Sequence, residues 1–317
     1  MNSFPRVTIL TPTFNRAEFL SETVESVLAQ GYPNLEYLVL DDGSSDNTAE
    51  VVSRYGNAVH YHYHQNMGEP RTVNRGWELA TGEFVCIVNS DDPQPPVLIR
   101  RSVEVMQAHP EVIVTYPDWV MIDQFSHPIK TVTAPDYNFE DMLKTCYCYP
   151  GPGAFIRRTA VAPHSPYLRD PRYPLISDFE SWCRLGLIGP FLHIPEVLAA
   201  WRRHEGAISV QNRPTRRRAE EQIRMVWAFY ENPALPASLR RLARFSKGET
   251  LLTASNIVFP FAPFAAFGYL ARALRYVPRR ALTRFRRKFW RSWKRRLRPY
   301  LPAPLLGLYR LVRHSLR

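Results

Sequence analysis

Polar and acidic residues follow three short apolar runs in the first hundred positions. The runs end at Thr11-Pro12-Thr13-Phe14-Asn15-Arg16, at Asp41-Asp42-Gly43-Ser44 and at Asn89-Ser90-Asp91-Asp92. Carboxylate oxygens are the preferred ligands of hard divalent cations such as Mg²⁺ and Mn²⁺. Such an ion stabilises the negative charge that appears on a departing diphosphate. Asp91 and Asp92 can give one carboxylate to a metal and the other to a sugar or ribose, while Asp42 can accept a hydrogen bond from a base.

The elements that position these groups alternate between strand and helix. Apolar runs predict strands at 7–10, 35–40, 59–64 and 84–88, and helical spacing predicts helices at 18–30, 46–55 and 71–80. This alternation predicts an α/β fold with a mostly parallel sheet and right-handed crossovers. Because ligands bind beyond the carboxyl ends of such strands, the three polar segments are expected at one edge of the sheet.

The pattern after Pro93 is less regular. It predicts helices at 95–107, 179–187 and 215–230, and strands at 112–116, 151–158 and 191–194. The segment 122–172 shows no clear period. The uncharged stretch 251–271 is long enough for a membrane span, but Pro260 and Pro263 favour two short packed helices instead.

The net charge of +12 belongs to the end of the chain. Residues 272–317 contain 16 of the 41 Lys and Arg, and no Asp or Glu follows Glu249. Aromatic and leucine residues recur every three or four positions between 281 and 298, which predicts an amphipathic helix on an anionic membrane surface. Packing of this apolar stripe on the preceding domain and nucleic-acid binding are the alternatives. We expect no nucleic-acid partner, because no nucleic-acid fold is recognisable.

Cysteine usage and the first residues indicate the compartment. Four cysteines are too few for a disulfide-stapled fold, and the Cys146-x-Cys148 pair has no second pair with which to hold zinc. The segment 1–6 lacks the apolar core of a signal peptide. We therefore expect a cytoplasmic protein, held peripherally on the inner face of the cell membrane by its basic tail.

Five segments taken together resemble the family 2 glycosyltransferases. They are 11–16, 28–36 (Leu-Ala-Gln-Gly-Tyr-Pro-Asn-Leu-Glu), 41–48 (Asp-Asp-Gly-Ser-Ser-Asp-Asn-Thr), 82–84 and 89–92. The resemblance covers residues 5–210. It implies the GT-A fold, which is Rossmann-like with helices flanking a mostly parallel sheet. It also implies a nucleotide-sugar donor, commonly a UDP-sugar, and inversion at the anomeric carbon.

The resemblance also assigns the donor site. Pro12, Thr13, Asn15, Asp42, Arg71 and Asp91 would contact the nucleotide or its diphosphate, with Asp42 at the base. Asp91 and Asp92 would bind Mn²⁺ or Mg²⁺, although Asn89 stands where many relatives have Asp. Asn74 would meet the donor or, with equal weight, cap a helix.

Two later segments carry the remaining resemblance. Residues 177–184 (Ser-Asp-Phe-Glu-Ser-Trp-Cys-Arg) resemble the E-D-x-x-x-W-x-R segment whose Asp is the general base. Asp178 is therefore the expected base. Capping of a helix that begins at Phe179 is its alternative role, and Glu180 is the alternative base. Arg202 and His204 resemble an R-x-H segment and would neutralise the leaving diphosphate.

These inferences predict three parts: a GT-A domain at 1–210, a helical extension at 211–271 and the basic amphipathic tail at 272–317. The expected acceptor is a glycan or a lipid-linked glycan of the cell surface. A catalytically inactive membrane-associated scaffold is the first alternative function. A nucleotidyltransferase is the second, which the lack of a Gly-rich loop after the first strand disfavours.

Overall fold

The computed structural model describes residues 4–207 and 215–284. The chain divides into two compact units, 1–213 and 214–317. The predicted domain boundary at residue 210 and most of the predicted amphipathic tail, residues 285–317, lie outside the described residues. No helix within the described ranges has the length and apolar character needed to cross a membrane.

Strands and helices alternate through the first half of unit 1. They are β1 (Val7–Thr13), α1 (Ala17–Leu28), β2 (Leu35–Asp41), α2 (Thr48–Ser53), β3 (His60–Tyr63), α3 (Glu69–Leu79), β4 (Phe84–Ile87) and α4 (Leu98–Ala108). The order agrees with the alternation predicted from the sequence. β1 is longer than predicted and includes Thr11, Pro12 and Thr13, so these residues belong to the strand and not to a loop after it.

The second half of unit 1 completes the sheet. Its elements are β5 (Val114–Ile122), β6 (Pro128–Val132), α5 (Phe139–Thr145), β7 (Phe155–Arg157), α6 (Arg158–Val161), α7 (Ser177–Leu185) and β8 (Phe191–Arg202). The strand β6 and the helix α5 lie in the segment 122–172, which shows no clear period in its apolar residues. β8 is far longer than the predicted 191–194, because Pro195 and Glu196 interrupt its apolar pattern while the pairing with β5 continues across a bulge.

The sheet is mixed, with strand order β3-β2-β1-β4-β7-β5-β6 and β8 paired to β5. β1 is parallel to β2 and β4, and β8 is parallel to β5. β7 runs antiparallel to both β4 and β5, so β4, β5 and β8 point the same way. The carboxyl ends of β1, β2, β4 and β8 therefore share one edge, as predicted for the three polar segments.

Helices cover the central strands and seal the core of unit 1. Leu20, Val24 and Val27 of α1 recur at helical spacing and are buried against strand residues such as Ile9 and Val39. At about 25 cal/mol per Å² of apolar surface, each such side chain contributes roughly 1.5–3 kcal/mol. This rigid centre fixes where each strand ends, and hence where the polar segments lie.

Unit 2 is helical within its described residues. It contains α8 (Arg216–Glu231), α9 (Ala237–Arg240), α10 (Ala243–Val258) and α11 (Pro263–Leu274), and residues 278–284 are also helical. The uncharged stretch 251–271 forms parts of α10 and α11, which pack together, as the prolines predicted. The Ser255 hydroxyl donates to the Ala266 carbonyl at 2.9 Å and ties the two helices.

Candidate active site

A buried carboxylate joins the ends of β4 and β8. Asp92 is 2% exposed. Its Oδ1 accepts a hydrogen bond from the Arg202 backbone N–H at 2.7 Å, and its Oδ2 accepts one from Asn89 Nδ2 at 2.9 Å. Burial and the nearby charge of Asp91 raise the pKa of Asp92 well above its usual range. Each oxygen accepts one hydrogen bond within the protein, and the side chain is closed to solvent, so a metal ion can reach Asp92 less readily than the partly exposed Asp91.

Asn89 stabilises the buried carboxylate of Asp92. Its side-chain amide donates to Asp92, which a carboxylate at position 89 could not do while ionised. The departure from the acidic residue of many relatives therefore removes one negative charge beside an already buried acid. Asn89 itself is exposed.

Arg202 lies inside the protein. It is 1% exposed, and its guanidinium donates to the carbonyls of Asp91 at 2.7 Å and Gln124 at 3.0 Å and to Glu22 Oε2 at 2.5 Å. The same group lies over the Phe19 ring at 4.9 Å. These contacts do not fit the predicted contact with a leaving diphosphate. Arg202 instead holds the backbone of Asp91 in place.

Asp91 and His204 form the pair that can bind a metal. Asp91 Oδ2 lies 2.9 Å from His204 Nε2, and the two side chains are 17% and 5% exposed. A carboxylate and an imidazole together suit Mn²⁺. Among residues 4–207 and 215–284, no three His, Cys, Asp or Glu side chains are grouped as a metal site. A metal on Asp91 and His204 would therefore need substrate phosphates and water as further ligands, which Mg²⁺ also commonly uses.

The ends of β1 and β2 are connected to this pair. The Ser44 hydroxyl accepts from the Asn15 backbone N–H at 2.9 Å, and Asn15 Oδ1 accepts from the Ser45 backbone N–H at 2.8 Å. The guanidinium of Arg16 donates to the carbonyls of Asn15 and Gly206. A hydrogen-bonded route thus runs from the β2 end to the segment that carries His204. Of the residues predicted here, the structure brings Asn15, Asp91 and His204 together along this route.

The two aspartates after β2 hold loops. Asp41 accepts hydrogen bonds from the Ser44 backbone N–H and the Tyr61 hydroxyl. Asp42 accepts from the backbone N–H groups of Met67 at 2.6 Å and Gly68 at 3.0 Å. A carboxylate has about four acceptor positions, so Asp42 keeps capacity for a ligand. It also fixes the loop that leads into α3.

Two buried polar atoms near these strand ends lack a partner within the described residues. They are the Thr13 hydroxyl oxygen at the end of β1 and Nε2 of His64, whose Nδ1 lies 3.5 Å from Asp42. Buried polar atoms are rarely left unpaired in folded proteins, so each is a candidate contact for a bound molecule. Thr13 was predicted to contact the nucleotide, whereas nothing in the sequence distinguished His64. Pro12 is buried in β1 beside them.

Asp178 lies in the first turn of α7 and is exposed. Its carboxylate accepts from the Phe179 backbone N–H at 2.7 Å. The helix begins at Ser177 and its N-cap position is Ile176, so Asp178 does not cap a helix that starts at Phe179. Glu180, the alternative base, is 9% exposed and accepts from Arg184 at 3.0 and 3.2 Å. Of the two acids, Asp178 is the one that solvent and ligands can reach.

Glu69 faces α7 from the start of α3, and the sequence analysis missed it. Its Oε2 lies 3.4 Å from the Ser177 hydroxyl and its Oε1 lies 3.9 Å from Arg169. Partial loss of solvent raises the pKa of Glu69, whose side chain is 33% exposed; Arg169 opposes this rise, and the charges of Asp178 and Asp42 add to it. A carboxylate thus lies beside Ser177, where the family pattern has its own Glu. An acid before a proline at a helix start is ordinary, so the sequence offered no signal.

Asn74 and Arg71 differ in their contacts. Asn74 Oδ1 accepts from the backbone N–H groups of Leu168 and Arg169, and its Nδ2 donates to the Arg169 carbonyl at 2.7 Å. It lies inside α3 and caps no helix; it fixes the loop that carries Arg169. Arg71 is exposed, and its guanidinium donates weakly to the Met67 carbonyl at 3.4 Å.

The sequence of this chain matches a protein-family profile and several curated glycosyltransferases. Residues 8–162 match the profile named Glycosyl transferase family 2. An uncharacterised glycosyltransferase of Rickettsia typhi is 32% identical over 136 residues, which are 43% of this chain and 42% of that protein. A putative teichuronic acid biosynthesis glycosyltransferase of Bacillus subtilis is 28% identical over 146 residues, 44% of this chain and 58% of that protein. The chain thus spans less than half the length of the Rickettsia relative.

Solved structures share the fold. TarS 1–349 of S. aureus, in complex with UDP-GlcNAc, has a TM-score of 0.62 at 18% identity and covers 87% of this chain and 82% of its own. A mannosyltransferase of Pyrobaculum calidifontis, in complex with GDP-Man and Mn²⁺, has a TM-score of 0.60 at 18% identity and covers 92% and 84%. The expected GT-A fold, with its mostly parallel sheet and flanking helices, is confirmed.

The two adjacent aspartates should respond differently to substitution. Asp92→Ala leaves the backbone N–H of Arg202 buried without its acceptor, so we expect the free energy of unfolding to fall by about 1–3 kcal/mol. Asp91→Ala also removes a hydrogen bond, the one to the buried His204 imidazole, but it relieves the repulsion between the two acids, so we expect a smaller loss than in Asp92→Ala. Urea denaturation of both variants measures this difference. Equal losses would contradict the assignment of Asp92 to the fold.

The raised pKa of Glu69 predicts a pH-dependent stability. The unfolded chain releases this proton near about pH 4, whereas the folded protein holds it to higher pH. Stability therefore falls as pH rises through this window. Because Glu69→Gln cannot ionise, its free energy of unfolding relative to wild type should rise between about pH 4 and about pH 7. Urea denaturation at both pH values tests this, with Glu18→Gln on the exposed side of α1 as charge control; a relative stability that is the same at both would refute it.

Proposed function

We propose that this chain, whose residues 8–162 match the profile of glycosyl transferase family 2, transfers a sugar from a nucleoside-diphosphate sugar to an acceptor hydroxyl. The observation that carries this proposal is the connected set of strand ends at one sheet edge. A candidate metal pair (Asp91 and His204), unpartnered polar atoms (Thr13 and His64) and an exposed acid at the start of α7 all belong to unit 1. The donor is proposed to be a UDP-sugar, as in the TarS complex.

The nucleotide would bind at the ends of β1 and β2. Thr13 and His64 each offer a buried polar atom without a partner in the described chain, and Asp42 keeps free acceptor positions. Asn15 is held between Ser44 and Ser45, so the segment after β1 is ordered before a ligand arrives. Preorganised polar groups bind with less loss of conformational entropy. Arg71, exposed at the start of α3, would meet the diphosphate.

Asp91 and His204 would hold the divalent metal. When bound, Mn²⁺ or Mg²⁺ stabilises the charge that develops on the leaving diphosphate. The chain's own contribution is to fix the pair, because Arg202 holds the Asp91 carbonyl and Asp92 holds the Arg202 backbone. Asp92 is thus proposed as a positioning residue in place of the metal ligand expected from the sequence.

Asp178 would take the proton from the acceptor hydroxyl. Direct attack by the activated hydroxyl displaces the diphosphate from the opposite face of the sugar, which inverts the anomeric carbon. Glu69 is proposed to position this step from across the cleft through its contacts with Ser177 and Arg169. We propose a glycan or lipid-linked glycan as the acceptor, in line with the teichuronic acid enzyme among the relatives.

The basic segment 272–317 is proposed to hold the enzyme peripherally on the inner face of the cell membrane. It has 16 Lys and Arg and no acid, and each basic residue adds about 1 kcal/mol of attraction near an anionic surface. A membrane location would bring the active site to lipid-linked acceptors.

Nucleotide binding tests the donor site. We expect one of UDP, GDP and TDP to raise the melting temperature of the wild type, and Mn²⁺ to increase that shift. Asp91→Ala should lose the Mn²⁺-dependent part, because it removes one of two protein ligands, whereas Asp178→Asn should retain the full shift. If no nucleotide stabilises the wild type, the inactive scaffold becomes the better account of this chain.

Turnover tests the base. Release of UDP from a UDP-sugar, with water as acceptor, should fall about 10²–10⁴-fold in Asp178→Asn, the usual contribution of a general base. Glu180→Gln is the matched control on the same helix, because that carboxylate is paired with Arg184 and should not affect the rate per folded molecule. A larger loss in the control would transfer the role to Glu180.

A further inference from the structure

Unit 2 carries a basic groove between α8 and α11. The cavity has a volume of about 590 Å³, and four arginines line it: Arg216, Arg217, Arg224 and Arg272. Arg217 and Arg224 are seven residues apart, so they lie on the same side of α8. Arg272 faces them from α11. None of these residues belongs to the site proposed above.

Most of the positive charge in the groove is uncompensated. Glu220 accepts from Arg216 at 2.7 Å and from the Tyr269 hydroxyl at 3.4 Å, which neutralises one arginine. Arg217, Arg224 and Arg272 form no ion pair with any residue in the described ranges. Three guanidinium groups that share a groove without a counterion repel one another, so an anion bound among them would be stabilised.

No atom fills the part of the groove next to Gly268. A Cβ built on Gly268 would meet no atom within 4 Å, although Gly268 lies in the middle of α11, where glycine costs roughly 0.5–1 kcal/mol relative to alanine. Gly268 and Ala265 therefore leave room for a group the size of a phosphate between the arginines. Tyr269 supplies the aromatic side of the cavity.

Two phenylalanines project next to the groove. Phe264, in the first turn of α11, is 89% exposed, and Phe261, just before the helix, is 53% exposed. Phe264 precedes Gly268 by four residues, so it lies on the same side of α11, one turn towards its N-terminus. Single exposed apolar residues are common, but aromatic residues beside a basic groove are the pattern of a surface that enters a lipid interface.

We propose that this groove binds the phosphate of an anionic phospholipid while Phe261 and Phe264 enter the membrane interface. The choice of a bilayer lipid follows from charge and apolar surface together, because a soluble phosphate would use the arginines and leave both phenylalanines in water. Arg272 belongs also to the basic segment 272–317, whereas the other arginines of the groove and both phenylalanines lie outside that segment. The proposed lipid contact does not depend on the proposed sugar transfer, since lipid binding is measured without turnover.

Cosedimentation of the full chain with vesicles tests the proposal. Wild type should bind vesicles that contain phosphatidylglycerol more tightly than pure phosphatidylcholine vesicles, and added salt should weaken the binding. At about 1 kcal/mol for each basic residue near the surface, Arg217→Gln/Arg224→Gln should bind on the order of 25-fold more weakly. The control Arg54→Gln/Arg100→Gln removes the same charge from exposed positions of unit 1 and should bind as wild type does.

Two further pairs of variants test the proposal at Phe264 and Gly268 and leave the arginines unchanged. Phe264→Ser should lower vesicle binding roughly tenfold, whereas Phe125→Ser, which removes an exposed phenylalanine from unit 1, should not. Gly268→Glu places a carboxylate in the groove and should also weaken binding, while Gly268→Ala should not. Thermal unfolding of each variant confirms that it is folded.

Wild-type binding by the double arginine variant and by Phe264→Ser would overturn the proposal. So would a groove that serves a soluble anion. In that case inorganic phosphate would raise the melting temperature of the wild type but not of Arg217→Gln/Arg224→Gln, and vesicle binding would be equal in both.

Discussion

The active-site edge depends on the hydrogen bonds that Asp92 accepts. The carboxylate is buried at the end of β4 and takes the backbone N–H of Arg202 from the end of β8. Arg202 then reaches back to the carbonyl of Asp91. Each residue fixes the other's backbone, so the two strand ends are fastened together. Asp91 and His204 meet because these backbones are held, and the proposed donor site is built on that meeting.

Burial explains why such a pair of adjacent acids can take different roles. Asp92 has lost its solvent and each of its oxygens accepts a hydrogen bond from the protein, whereas Asp91 keeps a partly exposed side chain beside His204. Two charges so close would repel each other, and the raised pKa of Asp92 reflects this cost. The polar amide of Asn89, in place of a third acid, keeps the cost from growing. One acid supports the loop and the other remains available to a ligand.

Much of unit 1 could be predicted from the sequence, because the features concerned are local. The apolar runs and helical spacings of 7–88 identify the strands and helices, and the parallel order follows from their alternation. The polar segment after β4 was found in the same way, whereas Asp178 was assigned through the family resemblance, since the helix predicted at 179–187 begins two residues after the start of α7. The two helices of 251–271 were predicted from their prolines.

Other features depend on contacts between distant residues, which a single sequence does not reveal. The division of labour between Asp91 and Asp92 is set by burial under Arg202, 110 positions later in the chain. Glu69 acquires its place only when α3 faces α7, and His64 is notable only because its ring nitrogen is buried without a partner. The length of β8 comes from pairing with β5, since its own pattern is broken by Pro195 and Glu196. Tertiary contact overrides local pattern in each of these cases.

The separation of Asp91 and His204, the proposed metal pair, along the chain affects the order in which the site forms during synthesis. Asp91 and His204 are 113 positions apart, and β8 is the last strand of the sheet to be synthesised. At about 5–20 residues per second, the ribosome needs on the order of ten seconds to proceed from the first of these residues to the second. During that interval the β1–β4 half of the sheet can form, but Asp92 has no Arg202 backbone to bind and Asp91 has no histidine beside it. A nascent chain therefore passes through a stage in which the proposed nucleotide end of the cleft can form without the proposed metal pair, which is complete only when β8 is added to the sheet.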